Sequence, residues 1–355
     1  MKLKRRLFRY AIAVVALATC LTAQAYKTPI EVPALQSKLA AVAPLIGVAK
    51  AGQRIVAVGL RGHIVYSDDE GKNWVQAQVP VSSDLVAVTF VDAKNGWATG
   101  HYGVVLHSGD GGTTWSKQFD GKAAAEITAK YYAAKSGAEL TPDVDRATRQ
   151  AKALLTEDNT QTMLGIHFDN EREGYVVGTF NRIFRTEDGG KSWTPMMDRT
   201  DNPKELHFYA VYADGKATYL TGEQGMVWRL DQARNRFVGI QTPYNGTLFG
   251  VIVDGSNLLV YGMRGSLLRS GDEGKSWERV QLEGNRAGIT GGAVLPDGQI
   301  AIVNQAGAIL LSSDHGKSFQ PTKVTKPMSY NGIKPIAERK VALVGSEGVR
   351  VETLQ

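Results

Sequence analysis

Residues 96–115 read GWATGHYGVVLHSGDGGTTW, and this stretch decides the fold. Its second half places Ser108, Asp110, Gly112 and Trp115 in the spacing Ser/Thr-x-Asp-x-Gly-x-x-Trp. A short aspartate accepts backbone N–H groups and closes a tight turn. Glycine supplies a backbone conformation that side chains resist, and the aromatic ring anchors the turn by packing. The first half is a small apolar run ending in Gly100-His101-Tyr102-Gly103, then an apolar strand over 104–106. Strand, glycine-flanked turn, strand and aspartate turn together predict consecutive antiparallel hairpins.

The same grammar recurs along the chain. The aspartate turn returns with Asp69 and Trp74, Asp110 and Trp115, Asp188 and Trp193, Asp272 and Trp277, and, with phenylalanine for tryptophan, Asp314 and Phe319. These are Asp-boxes, also called bacterial neuraminidase repeats. One turn per repeat spreads the aspartates around the molecule, which argues for a structural role and against metal binding or acid catalysis. The Gly-x-x-Gly turn recurs seven times, Asn181 standing for its second glycine in the third copy and Asn304 for its first in the sixth. Its last positions are 62, 103, 181, 225, 265, 307 and 348, spaced by 41, 78, 44, 40, 42 and 41. A period near 40 suits a four-stranded blade, so the expected fold is all-β, a seven-bladed β-propeller. The fourth repeat carries residues 229–237 in place of a box, and the seventh reaches Gln355 before a box can form. A ring that closes leaves no exposed edge, so an N-terminal strand over 28–35 is expected to complete the last blade.

The interval of 78 equals one repeat plus about 37 residues, an insertion over 121–160. Residues 122–135 are rich in Ala, Glu, Lys and Tyr, which suit a helix. Thr141-Pro142-Asp143 reads as a second helix start, and Val144, Ala147, Ala151 and Leu154 then share one face. A helical hairpin is expected, within the outer part of the second blade or between the second and third. It serves binding or lies on the rim as a lid.

Residues 1–25 read as a secretory signal, with Lys2, Lys4, Arg5, Arg6 and Arg9 before an apolar run and Ala23-Gln24-Ala25 as the cleavage pattern. The propeller then occupies 26–355, and the expected location is the periplasm or an equivalent exported compartment. Cys20, the single cysteine, falls inside the signal, in a loose lipoprotein-like context, so the mature chain has no disulfide and no thiolate site. The formal charge of +6 includes five basic residues of the signal; without them the balance is about +1, which gives no argument for nucleic acid. The six histidines show no zinc-ligand spacing, and no nucleophile elbow or phosphate loop is present. No metal, no cofactor and no catalytic residue are expected, and the expected state is a monomer.

Alternating strand direction puts the Gly-x-x-Gly turns and the Asp-boxes on opposite faces. Connections between blades share the Gly-x-x-Gly face, where Arg61, Arg182 and Arg264 occupy related turns, His101 and Tyr102 another, and Arg286, Tyr244 and Tyr330 lie in loops between blades. Arginine and tyrosine favour protein contacts through planar donors and rigid apolar area. These eight residues form the candidate partner-binding surface.

The longer phrases narrow the class. Phe90-Val91-Asp92 with Asn95-Gly96-Trp97-Ala98-Thr99-Gly100, and Phe168-Asp169 with Glu173-Gly174-Tyr175-Val176-Val177-Gly178, each precede a box. This pattern resembles the photosystem II stability/assembly factor family, and the likeness runs from about residue 45 onward. The resemblance implies a seven-bladed propeller in the thylakoid lumen or an equivalent compartment, acting in assembly without catalysis. An arginine patch is known on the propeller surface of the cyanobacterial type, and the resemblance relates Arg61, Arg182 and Arg264 to it. The helical insertion departs from the photosynthetic members and points to a bacterial relative. The reading is an exported scaffold or assembly factor for a protein partner such as a membrane-protein complex or exporter. The alternatives are a sialidase-like glycoside hydrolase, against which stands the lack of an Arg-Ile-Pro motif, and a polysaccharide-binding propeller.

Overall fold

The computed structural model describes residues 27–156, 161–284 and 286–355. The signal reading over 1–25, Cys20 included, lies outside the described residues. Seven antiparallel sheets follow one another along the chain, at residues 45–76, 85–119, 163–195, 208–241, 248–279, 289–322 and 330–353. Six have four strands and the last has three, each in sequence order from the axis outward. We number them blades 1 to 7.

The innermost strands close the ring through a shared irregularity. Every one carries a register shift next to its first residue, after Leu45, Leu85, Met163, Phe208, Leu248, Ile289 and Tyr330. The residue after each bulge is Gly47, Ala87, Gly165, Ala210, Gly250, Gly291 or Gly332. At this level neighbouring inner strands nearly touch: a Cβ on Gly291 would sit 3.0 Å from the Gly332 Cα, and one on Gly165 3.2 Å from the Ala210 Cα. Bulges bend and twist a strand, and small residues let backbones approach. Outward from the axis, the second strands are buried along their length, as in Gly96–Gly100 and Gly174–Gly178. Their apolar runs fill the space between blades, where Trp97 stacks on Phe168 of the next blade at 3.6 Å between ring centroids.

The expected N-terminal strand closure is corrected by the structure. Blade 7 consists of Tyr330–Pro335, Lys340–Gly345 and Gly348–Thr353, with no fourth strand. Residues 28–35 form no strand and lie against blade 1 and the loop that follows it. The Ala34 N–H donates to Val79 O at 3.1 Å and the Ser82 N–H to Pro29 O at 2.8 Å. Pro29 and Pro33 remove two of the donors a ladder needs. The ring closes face to face instead. Ala40, Leu45, Ala57 and Val65 share one cluster with Val344 and Val349 of blade 7. The Val349 N–H reaches Ala41 O at 3.0 Å, and Asn331 Nδ2 reaches Leu45 O at 2.8 Å.

The insertion forms the expected hairpin of helices α1, Gly121–Ala133, and α2, Pro142–Thr156, in the connection from blade 2 to blade 3. Asp120 caps α1 by accepting from the Ala123 N–H at 3.0 Å. Val144, Ala147, Ala151 and Leu154 are buried, as their spacing predicts. The hairpin packs on the outer side of blade 3, where Tyr132 donates to Asp198 at 2.8 Å. At its far end, Arg236 of blade 4 grips Asp143 at 2.7 Å, Asp201 at 2.7 Å and Asp198 O at 2.9 Å. The hairpin is therefore a strap over the rim of blade 3, tied to blade 4.

Candidate functional site

The two turn types occupy opposite faces. In each boxed blade the box is a closed local circuit. In blade 5 the Ser270 hydroxyl donates to Asp272 at 2.8 Å and accepts from the buried Gly274 N–H at 2.8 Å. Asp272 also accepts from the N–H and hydroxyl of Ser276, at 2.8 and 2.6 Å. The Ser276 hydroxyl and N–H, with the Ser270 hydroxyl, hold the Asp272 carboxyl down at about 2. The five aspartates stay one to a blade and spend their acceptors inside their own turns. Among the described residues, no group of three or more His, Cys, Asp or Glu side chains could hold a metal ion.

The Gly-x-x-Gly face is built differently. In five blades the turn has positive φ at both central residues, a type I′ geometry that suits the twist of a hairpin. The first central residue is Arg61 (φ 58°), Tyr102 (59°), Phe180 (54°), Gln224 (55°) or Arg264 (58°). The second is Gly62, Gly103, Asn181, Gly225 or Gly265. The second site admits no side chain in blade 1, since a Cβ on Gly62 would lie 2.1 Å from Val81 O. The first site projects from the face. A left-handed conformation costs an L-residue about 1–2 kcal/mol, and glycine or asparagine avoids most of that. Yet this position carries two arginines, two aromatics and a glutamine. Neighbouring groups hold the strain in place: the Arg61 N–H donates to Asp84 Oδ1 at 2.7 Å, and Lys204 donates to Gln224 Oε1 at 2.9 Å. Blades 6 and 7 differ, with positive φ only at Gly307 and Gly348.

Four rings join this rim to the mouth of the central channel. Phe180, 48% exposed, meets His207 edge-on at 4.6 Å between centroids; His207 lies 6.5 Å from Tyr209, and Tyr209 5.6 Å from Phe249. Tyr209 and Phe249 are bulge residues of the inner strands of blades 4 and 5. Beside Phe180 a small cavity of about 150 Å³ opens against Gln150 and Leu154 of α2.

The sequence-predicted residues divide. Arg61, His101, Arg264 and Arg286 are exposed on this face, and Tyr102 is half-buried there. Arg182 is 5% exposed and turns inward, donating to Thr179 O and Oγ1 at 3.2 Å each. Tyr330 is wholly buried, with burial pushing its phenol up to about 12. Tyr244 is half-buried and braces the turn of blade 5, its hydroxyl donating to Met263 O at 3.0 Å. Arg61 and Arg264 stand in blades 1 and 5, so the structure brings no three of the predicted arginines into one turn register. Phe180 and Gln224 were missed, as were His207, Tyr209 and Phe249. Aligning the third position of every turn finds the first two; Arg182 falls two residues beyond it.

A family model described as Photosynthesis system II assembly factor YCF48 matches residues 66–135 and 144–243. The chain is similar to the Photosystem II assembly protein Ycf48 of Synechococcus sp. (strain JA-3-3Ab), 23% identical over a match covering 60% of this chain and 80% of that one. Among solved structures it is similar to YCF48 bound to D1 peptide, with a TM-score of 0.64, 16% identity, and 93% of this chain and 99% of that chain covered. It is also similar to YCF48 from Cyanidioschyzon merolae, with a TM-score of 0.63, 15% identity, and 90% and 98% covered. At these identities the solved structures establish the propeller fold.

Proposed function

Because the chain belongs to the photosystem II assembly factor-like family of Asp-box propellers, we propose that it is a non-catalytic assembly factor that holds a protein segment on its Gly-x-x-Gly face. One observation carries this reading. Five strained turn positions on a single face present Arg61, Tyr102, Phe180, Gln224 and Arg264, where glycine or asparagine would fold more easily. Strain repeated at equivalent sites, with side chains suited to contacts, fits a surface kept for recognition. The aromatic track from Phe180 to Phe249 offers rigid apolar area, and the flanking arginines offer bidentate donors for carboxylates or carbonyls. A related YCF48 holds a D1 peptide, which supports a peptide segment as the occupant here.

The leader-like residues 1–25 support an exported chain, and hence an envelope or membrane-protein partner met outside the cytoplasm. The test is affinity capture from a membrane extract of the native host, comparing the unaltered chain with an Arg61→Glu/Arg264→Glu/Phe180→Asp variant. Loss of the same membrane-protein bands from the variant is the expected result. An unchanged set of bands refutes the face, and robust hydrolysis of fluorogenic sialosides or glucan oligosaccharides refutes the non-catalytic role.

A further inference from the structure

Each Asp-box also plugs the gap to the blade before it. A Cβ on Gly71 would strike Val351 of blade 7, one on Gly190 would strike Gln118 of blade 2, and one on Gly316 would strike Leu259 of blade 5. At three of these junctions the earlier blade answers with a donor to a box carbonyl. Arg54 donates to Gly111 O at 3.2 Å, Gln118 to Gly189 O at 3.1 Å, and Arg269 Nε to His315 O at 2.9 Å. Blade 4 has no box. At its junction with blade 3 the Asp-box face opens into a cavity of about 660 Å³, within the range of ligand-holding pockets.

The terminal nitrogens of Arg185 pair with Glu173 at 3.5 Å and Glu187 at 3.0 Å, but among the described residues its Nε and the Tyr175 hydroxyl have no hydrogen-bond acceptor. Arg185 is the third residue of the strand Ile183–Thr186, the place that Arg269 takes in Leu267–Ser270. Arg269 Nε serves the next box, whereas Arg185 Nε is buried with no hydrogen-bond partner among the described residues. Tyr175, 5% exposed, lines the same cavity, and its hydroxyl has no hydrogen bond among the described residues. Burial raises the phenol's pKa, so it stays a donor. Asp169 and Glu173 add acceptors to the wall.

We propose that this cavity receives a glycine-containing turn of a partner protein, seated as a box sits at the other junctions. A backbone carbonyl of the turn accepts from Arg185 Nε and the Tyr175 hydroxyl, and N–H groups of the turn meet Asp169 and Glu173. With Glu187 also paired to Arg185, three carboxylates stand against one guanidinium, which selects a neutral or basic loop over an acidic one. This surface is on the face opposite the strained turns and is independent of them.

The probe is a cyclised peptide with the sequence of residues 312–319, SSDHGKSF. It is titrated into the full chain while the arginine Nε–H resonances are followed by NMR. A saturable shift of Arg185 toward the position of Arg269 is expected. Arg185→Lys should weaken binding about tenfold and Tyr175→Phe about fivefold, each removing one hydrogen bond. Gln232→Trp, at an exposed position on the cavity rim, should abolish it. No saturable shift at roughly 10 mM peptide, equal affinity in Gln232→Trp, or a shift produced by maltose and not by the peptide would each overturn the proposal.

Discussion

Blades 4 and 5 are neighbours that solve one problem in two ways. Blade 5 holds its outer strand with a box, and that strand, Glu278–Arg279, needs only two residues. Blade 4 has no box, and its outer strand Arg236–Gln241 runs six residues in a full ladder against Met226–Asp231. The aromatic anchor moves as well. Trp277 of blade 5 sits in the box and is half-buried, whereas Trp228 of blade 4 lies within the third strand, wholly buried, with its Nε1 donating to Asp201 O at 3.0 Å. A box is held by bonds inside eight residues. Blade 4 is held by bonds to residues far away in the chain, such as Arg236 to Asp143. Local circuitry makes a blade self-sufficient, and its loss frees a blade to hold something else, here the helical strap.

That contrast can be broken by measurement. The largest effect is expected from Trp228→Ala, which empties a fully buried site and should cost about 3–5 kcal/mol in denaturant unfolding. Trp277→Ala should cost less than half as much; equal losses would show that blade 4 is not special. Next, Ser270→Ala strands the buried Gly274 N–H and should cost about 1–3 kcal/mol.

Arg236→Ala should cost about 1–2 kcal/mol overall, because the side chain is partly solvated. Its clearer signature is faster hydrogen exchange across Pro142–Thr156, with the boxed blades unchanged.

Acid should distinguish the two devices in another way. Asp69, Asp272 and Asp314 titrate at about 2 when folded, against about 3.9 in an unfolded chain. Folded-state values below the unfolded one give stabilisation that is complete above about pH 4 and fades as pH falls toward 2. Asp272→Asn should therefore lower Tm at pH 7 and flatten its decline between pH 4 and 2. A parallel decline would remove the box from the acid response.

The smallest change has the opposite sign. Gln224→Asn and Arg264→Asn should each raise stability by up to about 1 kcal/mol, since asparagine tolerates the left-handed turn. Equal gains in blades 4 and 5 are expected, because the loss of the box lies on the other face. Unequal gains would couple the faces.

The repeat made the propeller, its blade count, the insertion and the separation of faces legible, because each follows from contacts within about forty residues of sequence. The boxes were readable down to single atoms: Ser270, Asp272 and Gly274 bond one another, so their spacing is their structure. The candidate site was legible in part. Arg61, Tyr102 and Arg264 sit between glycines, which marks them in the sequence, whereas residue type favours Arg182 over Phe180 although Arg182 is only 5% exposed.

What the sequence settled alone is everything that a turn imposes on its own strand. The pairing of ends was decided only in three dimensions. Blade 7 closes on blade 1 by face packing instead of a shared strand, because Pro29 and Pro33 spoil the ladder while Val344 and Val349 offer Ala40 and Leu45 an apolar wall. Likewise the unserved Nε of Arg185, among the described residues, and the cavity beside it belong to a junction where two blades meet without a box. Hydrogen bonds inside a turn are fixed by residue spacing, but a gap between sheets is defined by groups that the chain brings together from both sides.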